Sequence, residues 1–161
     1  MNYQQKVLQY WNAFNKHDVD EILSLLDDNV LFFVPSNPQG LKGKNYLRVF
    51  WNTVFHTAIP NMHEEVKSPF EDGDTVACEV IETGTLSGKL QYPGEILPIE
   101  VLPTHQSYKM RVAVFFKFAS SGFISEIRAY WDLASFLHQT GIEYSKLTYA
   151  LKRISEAQSQ L

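Results

Sequence analysis

Arg128, Tyr130 and Asp132 alternate along one stretch of the chain, Ile124-Ser125-Glu126-Ile127-Arg128-Ala129-Tyr130-Trp131-Asp132. Residues two apart on a strand share a face, so a cation, a phenol and a carboxyl would be presented together. Such a trio suits proton transfer beside a carbonyl. A carboxyl at the rim of an apolar pocket loses hydration and its pKa climbs toward neutrality. An arginine can hold a carboxylate or enolate oxygen, and a tyrosine can donate to a developing oxyanion. His63 is a further candidate proton carrier, since imidazole as a side-chain type suits proton transfer near neutral pH. Each residue also has a plainer reading. Asp132 immediately precedes a helical pattern and can cap it. Arg128 can pair with Glu126 or Glu79 on a solvated face, since parity alone does not say which face is concave. His63, at the start of a strand, can be a surface group.

Other chemistries find no support. There is no G-x-S-x-G turn to carry a nucleophilic serine. The 8 glycines are scattered rather than gathered into a phosphate loop, so no nucleotide cofactor is expected. The histidines show no H-x-x-x-H spacing and Cys78 is the lone cysteine, so neither a metal site nor an internal disulfide is expected. Cys78 lies in the apolar-rich run Thr75 to Ile81 and reads as a buried thiol. The net charge is −4, with 14 basic and 18 acidic residues spread along the chain and no basic cluster, which argues against nucleic acid as a partner. No apolar run approaches the roughly 20 residues of a membrane span. No secretory pattern opens the sequence, so the expected setting is cytoplasmic.

The elements that must position these residues follow from periodicity. Tyr3, Val7, Tyr10, Trp11 and Phe14 fall at helical spacing. Asp18 and Glu21 form a D-x-x-E cap for a short helix carrying Ile22, Leu23, Leu25 and Leu26. Val30 to Val34 is a strand stopped by Pro35, with Pro38 and Gly40 continuing a loop. A third helix opens near Gly43 and ends before Pro60. Strands are expected over Met62 to Phe70, Thr75 to Thr85, Tyr108 to Phe118 and Phe123 to Trp131, turning at Glu71-Asp72-Gly73-Asp74 and Ser120-Ser121-Gly122. Between the second and third of these, Gly88 to His105 carries Pro93, Gly94, Pro98 and Pro103 and is long enough to be a functional flap. Leu133 to Gln139 is a short helix closed by Gly141, and a tail helix places Tyr144, Leu147, Leu151 and Ile154 on one side. Helices followed by antiparallel strands make an α+β domain, here over residues 1–142 with an appended helix at 143–161.

Aromatic residues make up 14% of the chain, 11 Phe, 8 Tyr and 3 Trp among 161 residues. Trp11, Phe14, Phe33, Phe50, Trp51, Phe116 and Phe118 are the expected inner lining, most of them as core and some as ligand contacts.

Several motifs occur in a familiar order: Ile59-Pro60-Asn61-Met62-His63, Glu71-Asp72-Gly73-Asp74-Thr75-Val76, Gly84-Thr85-Leu86-Ser87-Gly88, Leu102-Pro103-Thr104-His105, the strand ending Tyr130-Trp131-Asp132, and Gln139-Thr140-Gly141. Over about residues 3 to 142 the ordered set resembles the SnoaL-like polyketide cyclase family, within the nuclear transport factor 2-like and ketosteroid isomerase-like superfamily. The resemblance implies a cone-shaped curved antiparallel sheet wrapped around N-terminal helices, with a pocket in its mouth, commonly as a homodimer. It also aligns Asp132 with the family's acid/base aspartate, and His63 with a position where the family often has a histidine. The sequence departs from the family pattern at Leu86, which replaces a frequently polar turn residue, in the longer segment Lys89 to Val101, and in the tail helix. The implied function is cofactor-independent acid/base chemistry next to a carbonyl: aldol-type cyclisation, isomerisation or dehydration of a small apolar or aromatic carbonyl compound. Asp132 would move the proton, and Arg128, Tyr130 and His63 would stabilise the enolate. The alternatives are a non-catalytic small-molecule-binding protein and a protein-interaction module using the sheet surface or the tail helix.

Overall fold

The computed structural model describes residues 2–35, 37–92 and 99–145. The tail helix expected after Gly141 therefore lies, past Ser145, outside the described residues.

Helix α1 (Tyr3–Asn15) is opened by Asn2, whose side chain accepts from the Gln5 amide at 2.8 Å while the Gln5 side chain accepts from the Asn2 amide, a reciprocal cap. Helix α2 (Val19–Ser24) is capped as expected by Asp18, which accepts from the Glu21 amide at 2.9 Å. Glu21 does not complete a reciprocal cap. The Asp18 amide goes to the Ala13 carbonyl instead, and the Glu21 carboxyl receives the Gln9 side chain. The two helices bury Val7, Tyr10, Trp11, Phe14, Ile22 and Leu23 against the sheet.

Strand β1 (Leu26–Val34) starts earlier than its apolar run suggests and pairs antiparallel with β2 (Asn37–Lys42), a segment the sequence reads as loop because of Pro38 and Gly40. β2 is an edge strand, where a missing proline amide breaks no ladder. Gly40 is required there: it adopts φ +84°, and a β-carbon would come within 2.7 Å of the Phe33 ring. Helix α3 (Lys44–Thr53) ends in a π-helical turn, Val54–Ala58, just ahead of Pro60.

The strand expected over Met62 to Phe70 is two strands, β3 (His63–Val66) and β4 (Phe70–Asp72), both paired with β5 (Thr75–Thr85). Pro69, between them, has no amide to give a ladder. β5 runs antiparallel to β8 (Ser107–Phe118) over its whole length, and β8 to β9 (Ile124–Tyr130). Between β5 and β8 the long segment folds into a separate hairpin of β6 (Leu90–Tyr92) and β7 (Ile99–Val101). The main sheet runs β2-β1-β9-β8-β5-β3, with β4 beside β5. Its single parallel join, β1 on β9, lies within otherwise antiparallel pairing. Helix α4 (Leu133–Thr140) follows β9 and is closed by Gly141 at φ +69°.

One end of the wrapped sheet is filled. Tyr3 stacks on Phe118 with ring centroids 4.1 Å apart, and Tyr10 and Trp11 meet Phe116 edge-on. Among the described residues the other end is open. Among the described residues no helix is long and apolar enough to cross a membrane.

Candidate active site

The open end encloses a cavity of about 130 Å³. Rings from α1 (Tyr10, Trp11, Phe14), from β1 (Phe32) and from α3 (Phe50, Trp51) form one side. Tyr108, Met110, Val112 and Val114, the inward parity of β8, form the opposite wall with Ile127 and Ala129 of β9. Trp131 and the α4 residues Leu133, Phe136 and Leu137 close the lip, and Leu90 and Val101 reach over it from the hairpin. For scale, an apolar cavity of about 150 Å³ can hold benzene, so this one is about the size of a single ring.

The lining carries two acids, Glu64 and Glu82. They are direct cross-strand partners in the β3–β5 ladder, so both side chains enter the same apolar space. Glu64 is only 4% exposed, and its Oε2 is buried with no donor group among the described residues. Glu82 accepts the Tyr108 hydroxyl proton at Oε1, 2.7 Å. Two ionised carboxylates side by side in an apolar wall are prohibitively costly, so the pair keeps a proton. Burial first, then the Glu82 charge and a hydrogen bond to Glu82, push Glu64 up to about 11. Glu82 is also raised by burial, but bonds from Glu64 and Tyr108 oppose the shift. The resting arrangement follows: Glu64 is the acid, its proton directed to Glu82, and Glu82 is the carboxylate, held from its other side by Tyr108. Burial, followed by the neighbouring glutamates, also keeps the hydroxyls of Tyr108 and Tyr10 well above the ordinary phenol range. Both stay protonated as donors.

Side chains behind the wall fix the pair. Asn15, at the end of α1, brackets the Glu64 backbone, donating to its carbonyl at 2.9 Å and accepting from its amide at 2.8 Å. His17 meets the Met62 carbonyl at 2.9 Å and stacks on Phe55. Trp11 Nε1 donates to Cys78 Sγ at 3.3 Å, and burial pushes that thiol up to about 11, which makes Cys78 an inert core group. The hairpin is seated at its base, where the Ser87 and Gly88 amides donate to the Ala58 carbonyl at 2.9 and 3.1 Å. Gly88 allows no side chain: a β-carbon would stand 1.9 Å from the Thr57 carbonyl oxygen.

The four residues expected to do the chemistry lie outside this cavity. Ile127, Ala129 and Trp131 take the inward parity of β9, which turns Arg128 and Tyr130 to the opposite face. There Arg128 forms an ion pair with Glu126 at 3.1 Å and lies over Phe115, while Tyr130 is 54% exposed. Asp132 is exposed and caps α4, accepting the Ser135 amide at 3.0 Å. His63 is exposed, one residue before the inward Glu64. Of the expected lining, Trp11, Phe14, Phe50 and Trp51 do face the cavity. Phe116 and Phe118 belong to the filled end, and Phe33 covers Gly40 on the other side of β1. The missed pair left a trace in the sequence. Glu82 continues the parity of Val76, Cys78 and Val80, all buried, and a carboxyl on an apolar face is the anomaly that marks it.

A helix-backed, open curved sheet with a ring-lined end is the nuclear transport factor 2-like architecture. A nuclear transport factor 2-like protein from Burkholderia pseudomallei superposes with a TM-score of 0.68 at 16% identity, over 87% of this chain and 98% of its own. Residues 7–127 match the SnoaL-like domain, and the chain belongs to that family. Two family-type structures are similar throughout. A proposed polyketide cyclase from Pseudomonas putida has 23% identity and a TM-score of 0.65 over 87% of this chain and 98% of that one. Another, from Silicibacter, has 26% identity and a TM-score of 0.64 over 84% and 92%. No curated protein matches the chain in sequence.

Proposed function

We propose that the chain is a cofactor-independent enzyme acting on a small, neutral carbonyl compound with one ring in the cavity, and that Glu64 and Glu82 are its acid/base pair. The carrying observation is the paired, unequal carboxyls in an apolar wall, one with an oxygen that no donor among the described residues reaches. A carbonyl oxygen entering beside Glu64 takes up its proton, and the Glu82 carboxylate is thereby released to abstract the α-hydrogen. One C–H bond and the Glu64 O–H bond break, an enol O–H and a protonated Glu82 form, and no charge is created. Return of the proton at another carbon gives isomerisation, and its delivery to a β-hydroxyl gives dehydration. The ring-closing aldol step uses the same enol. Preplaced donors in a dry site act without solvent reorganisation, the condition under which such hydrogen bonds count most.

Exchange of α-hydrogens in deuterated water tests this without knowledge of the substrate. With cyclohexanone as probe, the protein should speed exchange over buffer, Glu82→Gln should remove the acceleration, and Asp132→Asn should keep it. No acceleration by the unmodified protein, or an unaffected Glu82→Gln, would reject the mechanism.

A second reading, a binding protein without chemistry, is favoured by one observation: the acid at the family's catalytic position, Asp132, is engaged as a helix cap. Homodimer assembly belongs to the same proposal and is carried by the family resemblance alone.

A further inference from the structure

The cavity wall has acids without bases. Among the described residues, no lysine, arginine or histidine lines it, while Glu64 and Glu82 both do. The other titratable groups coupled to the pair are the Tyr108 hydroxyl from β8, the Tyr10 hydroxyl from α1 and the Cys78 thiol on β5. None can carry a positive charge. Glu82 has its Tyr108 bond and its neighbour's proton, and a carboxylate offers about four acceptor positions, so capacity is left over. Among the described residues no donor reaches Glu64 Oε2. Rings of Tyr10 and Trp11 line the same cavity, and aromatic faces attract cations.

We propose that the cavity is also a binding site for small protonated amines bearing one apolar ring, the ammonium lying between Glu64 Oε2 and the Glu82 carboxylate. This goes beyond the catalytic reading and shares with it the cavity and its two acids. The ammonium supplies the donors that the wall lacks, and the ring takes the space that one ring fits. A cation at this point favours the ionised form of both acids, so its entry draws off the proton that the pair retains. Amine affinity therefore rises with pH while the amine stays protonated, and binding releases protons to buffer. Anions of the same size meet two acids and no counter-charge.

Three isosteric probes decide the matter with the unmodified protein: benzylamine, benzyl alcohol and benzoate, titrated calorimetrically at pH 6, 7 and 8 in buffers of different ionisation enthalpy. The expected result is benzylamine about tenfold tighter than benzyl alcohol at pH 7, tightening further at pH 8 with proton release, and no benzoate binding. Glu82→Gln should abolish the preference for the amine. Equal or tighter binding of benzyl alcohol overturns the amine site while leaving the cavity as a ligand site for the catalytic reading. Binding of none of the three overturns both. If Glu82→Gln fails to fold, Glu64→Gln serves: it keeps the Glu82 carboxylate and should keep the amine preference but lose the proton release.

Discussion

At the scale of single residues, the decisive feature is a proton kept where an ordinary carboxyl would have lost it. Glu64 is raised from the usual carboxyl range to about 11, so the folded chain holds a proton that the unfolded chain gives up. The folded state binds more protons between those limits, and stability must fall as pH rises through them. The contribution is complete below the unfolded value and is lost by the folded one. The thermal midpoint should therefore decline steadily from pH 5 to pH 9. Glu64→Gln, which keeps a donor in place of the titrating acid, should flatten that slope and leave the variant more stable than the parent at pH 9. A melting series across pH checks it; parallel slopes for the two proteins would mean that Glu64 is ionised at rest. This pair was only half legible. Glu82 continues a run of buried positions, but Glu64 sits in His63-Glu64-Glu65-Val66, where polar neighbours on both sides disguise the inward residue.

At the scale of elements, helix α4 sets the lip of the mouth, and it depends on a small local device. α4 brings Leu133, Phe136 and Leu137 to the lip, and Asp132 starts it. Because Asn caps as well as Asp, Asp132→Asn should leave stability and ligand affinity unchanged, whereas Asp132→Ala should cost about 1 kcal/mol by denaturant titration and loosen the lip. A loss of turnover in Asp132→Asn with its stability intact would return the acid/base role to Asp132. The elements themselves were well marked in the sequence: α1, α2, α3, β5, β8 and β9 all follow from apolar spacing with their capping and turn residues. The segment after β1 was misread as loop because Pro38 and Gly40 weaken a strand signal locally. Edge position in the sheet and the Phe33 ring over Gly40 make the strand possible, and both are tertiary circumstances.

At the scale of the whole molecule, a curved sheet that is filled at one end and open at the other creates an apolar space no single element possesses. The space should be separable from stability. Ala129→Phe places a ring in the cavity from β9, so ligand affinity should drop below detection while the melting temperature stays the same or rises. Unchanged binding in a folded Ala129→Phe would place the ligand elsewhere. The α+β class, the main helices and strands and the family were determined by the sequence alone, because apolar periodicity and turn chemistry are local properties. Only the tertiary structure decided which face of β9 is concave, and with it the removal of Arg128, Tyr130 and Asp132 from the site. Parity says which residues share a face but carries no sign. The sign comes from the direction in which the sheet bends around α1 and α3, and that same bend brings Glu64 and Glu82 inside.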